Sequence, residues 1–197
     1  KCINLETVSL PSTLRIIGWN AFHGCENLRR LVVPEGVTQI ESFAFWDCKN
    51  LETVSLPNSL REIDGLAFCD CRSLRRIVVP EGVTKLEGFA FSGCKNLETV
   101  SLPGTLRIIG WGAFFGCESL RELVVPEGVT EIEEDAFRFC KNLETVTLPD
   151  SLRELGYSAF YGCDSLRKVS LPASWKGSGK RRQLERAAIP KEVRVYR

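Results

Sequence analysis

The residues of this 197-residue chain best suited to nucleophilic, redox or metal chemistry are nine cysteines and one histidine. Their spacing assigns them elsewhere. Eight cysteines stand at 2, 25, 48, 71, 94, 117, 140 and 163, each 23 residues after the last, which marks a repeated structural position and not a converging site. Cys69 falls outside the series. A structural zinc wants four ligands, and His23 is the only other residue at hand, so Cys69 is expected to be an exposed, oxidisable thiol. The run Gly177-Ser178-Gly179-Lys180 has the outline of a phosphate loop, but Ser174 stands where the first glycine belongs and Arg181 where a Ser or Thr would hold magnesium. It reads as a turn. The carboxylates recur by repetition, so no catalytic residue, cofactor, metal or small-molecule substrate is expected.

The elements that carry these residues follow from the same period. Proline recurs at 11, 34, 57, 80, 103, 126, 149 and 172, and Ala-Phe in one register from 21–22 to 159–160. A strict 23-residue period means a solenoid. In the first coil Leu5, Val8 and Leu10 point inward from a short strand that Pro11 ends, because proline donates no ladder hydrogen bond. Leu14 and Ile17 return along the coil, and Ala21, Phe22 and Cys25 share one side of a single helical turn. One coil cannot bury its own apolar side, so coils stack with parallel strands about 4.8 Å apart. The predicted fold is a solenoid with one strand per coil, starting at Leu5, Leu28, Leu51, Leu74, Leu97, Leu120, Leu143 and Leu166, and short helical or 3-10 turns on the other side. The cysteines of adjacent coils lie within disulfide range, but their parallel Cβ vectors do not point at each other, so buried free thiols are expected.

A longer period overlies the first. Residues 5–50 match 51–96 at 30 of 46 positions and 97–142 at 36 of 46, so the duplicated unit is a pair of coils. On the outward strand face this gives Glu6, Arg29, Glu52, Arg75, Glu98, Arg121, Glu144 and Arg167, neighbours of alternating sign. The array runs over 1–172. Within 173–197, Leu184-Glu185-Arg186-Ala187-Ala188-Ile189-Pro190 repeats the strand pattern, with Glu185 continuing the charge ladder, and reads as a degenerate ninth coil acting as a C-terminal cap. With 26 basic and 25 acidic groups the whole chain carries a net charge of +1, which excludes a uniform nucleic-acid surface; contact of the basic cap with nucleic acid or membrane is not expected. No apolar run approaches the roughly 18 residues of a spanning helix. The chain lacks Met and is expected to be a fragment, a processed product or a part of something longer.

The unit L-x-x-[VI]-x-L-P followed by A-F-x-x-C resembles the BspA-like leucine-rich repeats of bacterial and protist surface proteins, over residues 2–172. The resemblance implies a right-handed leucine-rich-repeat solenoid with a non-catalytic binding role, often adhesion, at a cell surface or in a secreted protein. A row of free thiols suits a reducing compartment instead.

Against the constant frame, the position after Ala-Phe reads His23, Trp46, Cys69, Ser92, Phe115, Arg138 and Tyr161, and the two before it include Trp19, Phe43, Trp111 and Tyr157. Such aromatic and small polar columns have the composition of a binding surface. Edge packing and drift are the other readings. From these columns the candidate partner-binding residues are Trp19, His23, Phe43, Trp46, Trp111, Phe115, Arg138, Tyr157 and Tyr161, with Arg30, Arg76, Glu122 and Lys168 as candidate contacts on the strand face. The expectation is a protein-binding module with a protein partner; the alternatives are a structural spacer, a peripheral scaffold subunit or an idealised designed array.

Overall fold

Each coil runs extended twice, because inward apolar residues alternate with outward polar ones on both sides of its proline. The structure, a computed structural model, describes residues 2–176 and 179–196. The first extended leg builds the main ladder: strands Arg30–Val32, Thr53–Ser55, Arg76–Val78, Thr99–Ser101, Glu122–Val124, Thr145–Thr147 and Lys168–Leu171. All pair in parallel, with Arg30 opposite Thr53 and Glu122 opposite Thr145. The second leg, expected only as a return path, is itself a ladder of seven two-residue strands from Ile16–Ile17 to Glu154–Leu155. Residues 5–10 of the first coil form no strand. With a neighbour on one side only, Leu5, Val8 and Leu10 are half-buried there.

The Ala-Phe segment is a succession of tight turns and not a helical turn, since two positions per coil are left-handed, as at Phe43 (φ 62°) and Asp47 (φ 60°). Its phenylalanines form the centre of the molecule. From Phe22 to Phe160 their rings stack with centroids 5.1 to 5.5 Å apart and planes within 9° of parallel. Cysteine is required beside them because its thiol donates to the Phe carbonyl of the coil before: Cys48 to Phe22 at 3.1 Å, Cys71 to Phe45 at 3.3 Å, Cys163 to Phe137 at 3.2 Å.

Contacts around the Pro-Glu-Gly turn explain the coil-pair period. Gly36, with φ 98°, sits beneath the Arg15 guanidinium, where a Cβ would approach within 2.6 Å; its N–H donates to Ser59 of the next coil at 2.9 Å, and Ser59 donates to the Val37 carbonyl at 2.8 Å. Glu35 accepts from the Asn58 N–H at 3.2 Å. The same set recurs at Gly82 and Thr105 with Glu81 and Gly104, and at Gly128 and Ser151 with Glu127 and Asp150. Each bond joins an even coil to the odd coil after it.

The C-terminal segment departs from the expected ninth coil. Residues 181–186 form a helix, Arg181–Arg186, secured by an Arg181–Glu185 pair at 2.9 Å, so Glu185 leaves the strand-face charge ladder. Good helix formers four apart in opposite charge favour this over a strand. The helix ends where Phe160 donates to the Ala187 carbonyl at 2.9 Å, and Trp175, Leu184, Ala187 and Ile189 are buried against the last coil. The eighth main-ladder strand is Arg194–Tyr196, paired with Lys168–Leu171.

Deleting residues 51–96 joins an even coil to an odd one and leaves each remaining turn with its partners, whereas deleting 51–73 places Arg29 beside Arg75 and leaves Gly36 and Glu35 without Ser59 and Asn58. Ser59→Ala removes two of these bonds, at about 1 kcal/mol each, and should lower the melting temperature in a calorimetric comparison with the intact chain.

Candidate functional site

Two surfaces carry the variable side chains. On the turn flank, the residues after Ala-Phe from Trp46 on project from a backbone bonded through both N–H and carbonyl: the Trp46 N–H donates to Phe43 at 3.1 Å and its carbonyl accepts from Gly24 at 2.7 Å. Trp19, Trp111, Tyr157 and Tyr161 are 65%, 51%, 61% and 50% exposed, in a chain whose ladder phenylalanines from Phe45 on are sealed. His23, Phe43, Trp46, Phe115 and Arg138 are half-buried.

These side chains gather into clusters. Trp19 meets Phe43 edge-on at 6.4 Å, Phe43 meets Trp46 at 5.3 Å, and His23 stacks on Trp46 at 4.6 Å. Further along, Phe115 and Tyr161 each pack edge-on against Phe139, at 5.5 and 5.8 Å. The Arg138 guanidinium lies 5.0 Å from the rings of both Phe139 and Tyr161 and is held by Asp135 at 3.2 Å. The half-buried members of the columns thus pack along the coil edge, while the exposed ones project from it. Phe89, which meets Trp111 at 4.9 Å, and Phe139 belong to the flank without being singled out from the sequence. Phe139 had a readable signal: it breaks a column otherwise occupied by Gly24, Asp47, Asp70, Gly93, Gly116 and Gly162. Both are left-handed, a conformation costing a bulky residue about 1 to 2 kcal/mol.

The strand face presents Arg30, Arg76, Glu122 and Lys168, all exposed. The alternating charge ladder forms there as Arg29–Glu52 at 3.2 Å, Arg75–Glu98 at 3.5 Å, Arg121–Glu144 at 4.0 Å and Arg167–Glu144 at 2.6 Å. Pairs this exposed contribute about 0 to 1 kcal/mol each.

The cysteines are free thiols, and Cys69 is not the exposed one. It is buried, its sulfur 4.0 Å from Asp70, and burial pushes its thiol up to about 11; Cys2 is the exposed cysteine. Position 69 lies on the flank, but at a coil with full neighbours on both sides, where a side chain this short stays beneath the surface. Among the described residues no three of His, Cys, Asp and Glu converge to hold a metal ion, and no helix is long and apolar enough to cross a membrane. Of the glycine-serine turn, Gly177 and Ser178 lie outside the described residues; Lys180 sits 5.2 Å from the Trp175 ring centre and donates to the Arg153 carbonyl.

This coil geometry has relatives. Residues 1–121 and 107–182 match the family model of the BspA type leucine rich repeat region, in 6 copies. The chain belongs to that family. The solved structure of the BspA-type chain's relative from T. pallidum, a leucine rich repeat protein, is 36% identical with a TM-score of 0.69, covering 71% of this chain and 68% of that one. A leucine-rich repeat protein from Bacteroides ovatus is 27% identical with a TM-score of 0.59 over 93% of this chain and 55% of that one. One from Eubacterium ventriosum, 24% identical with a TM-score of 0.68 over 72% of this chain and 38% of that one, shares the fold. No curated protein matches the sequence.

Thiol chemistry gives a direct check on the BspA-type coil. A native alkylation count should give one thiol, Cys2, and nine after denaturation. Burial pushes Cys48 and Cys163 up to about 12 from 9.0, so the unfolded chain loses these protons first. Stability should be full below about pH 9 and fall between pH 9 and 12, read as a declining denaturant midpoint.

Proposed function

We propose that this chain is a non-catalytic protein-binding module, of adhesion or recognition type, in which the 1–172 array is a rigid frame and 173–197 its cap. The observation that carries the reading is the set of exposed large aromatics, Trp19, Trp111, Tyr157 and Tyr161, on one flank of a frame that buries every other repeated ring after the first coil. Aromatics held by a satisfied backbone supply contact area with little ordering cost. The partner is a protein, and the basic cap is not its docking site for nucleic acid or membrane.

The half-buried members, Phe43, Trp46, Phe115 and Arg138, support the exposed ones from below, through the ring contacts already described.

Replacing Trp19, Trp111 and Tyr161 together by Ser should abolish capture of the partner by the intact chain, with each change costing about 0.5 kcal/mol or less, as for surface substitutions. Trp46→Ser, by contrast, should lower stability by about 1 to 3 kcal/mol, read by denaturant unfolding. Capture unaffected by the triple substitution would sink the reading.

A further inference from the structure

The strand face holds two clefts that are copies of one another, and their charge is opposite. One, of about 630 Å³, is lined by Glu98, Thr99, Val100, Arg121, Glu122 and Val124, together with Ser119 and Asn142. The other, of about 290 Å³, is lined by Glu52, Thr53, Val54, Arg75, Arg76 and Val78. Each residue of the second stands 46 positions before its counterpart in the first. One substitution changes the sign: Glu122 occupies the place of Arg76. Glu98, Arg121 and Glu122 sum to one negative charge, whereas Glu52, Arg75 and Arg76 sum to one positive.

Both clefts open where the main ladder is loosened. Between Thr99–Ser101 and Glu122–Val124 the sheet divides, and between Thr53–Ser55 and Arg76–Val78 only Thr53 and Arg76 are registered. The junctions from even to odd coils, by contrast, register three residues each and are bridged by Arg29–Glu52, Arg75–Glu98 and Arg121–Glu144. Arg76 and Glu122 form no ion pair among the described residues, so each keeps its charge for a ligand.

We propose that the strand face binds an extended segment of a partner protein, with a basic side chain in the Glu98–Glu122 cleft and an acidic one in the Arg75–Arg76 cleft. The valines of each cleft face the stem of the entering side chain while the charge meets its head. Two coils separate the clefts, roughly 10 Å at the spacing of paired strands. A polyproline-type segment spans this with residues three apart, roughly 9 Å along one side. The proposal rests on the protein-binding reading but uses a different face from the aromatic flank, so the two fail separately.

The test uses the intact protein and two capped peptides, Arg-Pro-Pro-Glu and Gln-Pro-Pro-Gln, titrated under NMR observation. The charged peptide should bind about tenfold more tightly, the equivalent of two exposed charge pairs, and shift the amides of Thr99, Val100 and Val124. Glu122→Arg restores the residue type that even coils carry at Arg30 and Arg76, so the melting temperature should hold while binding weakens about tenfold. Arg76→Glu should weaken it similarly. Equal affinity for both peptides, no binding of either at millimolar concentration, or full affinity in the folded Glu122→Arg protein overturns the proposal. Partner capture through Trp19, Trp111 and Tyr161 is scored separately, so a lost cleft leaves that result intact.

Discussion

The register of the whole molecule hangs on the column of phenylalanine rings and the thiol bonds beside it. A ring stack tolerates little axial slack, and each cysteine can reach its Phe carbonyl only when the coils are one turn apart, so the column fixes both spacing and phase.

Above that column, the odd and even coils divide the labour. The Pro-Glu-Gly turn of an even coil needs a hydroxyl from the odd coil that follows and an arginine from the odd coil before, which no array of identical coils could supply. The strand face follows the same alternation through its middle, closed by ion pairs at the even-to-odd junctions and open between Thr53–Ser55 and Arg76–Val78 and between Thr99–Ser101 and Glu122–Val124, until Arg167 and Glu144 close the last junction. A two-coil period in the sequence is thus a set of hydrogen bonds in space, and the open junctions are its by-product.

The 23-residue frame was legible because every coil repeats the same inward set, Leu28, Leu31, Val33, Val37, Ile40, Ala44, Phe45 and Cys48, and each is buried in place. The second ladder was harder to see, since two residues such as Gln39 and Ile40 carry too little alternation to declare a strand. Residues 184–190 misled because L-x-x-A-x-I-P suits a strand only when a neighbouring coil fixes it; at the end of the stack, helix propensity and the Arg181–Glu185 pair decide. Cys69 misled for a different reason. Being outside the series says nothing about depth, and depth on the flank depends on side-chain length, so Trp19 and Tyr157 emerge where Cys69 and Ser158 do not.

Sequence variation concentrates on the flank for a reason rooted in the backbone. Every variable residue from His23 to Tyr161 donates its N–H to the carbonyl three residues earlier in its own turn, and the carbonyls from Trp46 onward through Tyr161 accept from the coil before. None of these bonds involves a side chain. The position can therefore change from histidine to tryptophan to serine without disturbing the stack, while the adjoining left-handed residues tolerate Phe43, Phe89 and Phe139 because the surrounding hydrogen bonds over-determine the turn. A frame whose cohesion lies in its rings, thiols and turn locks leaves the flank free to vary without altering the fold.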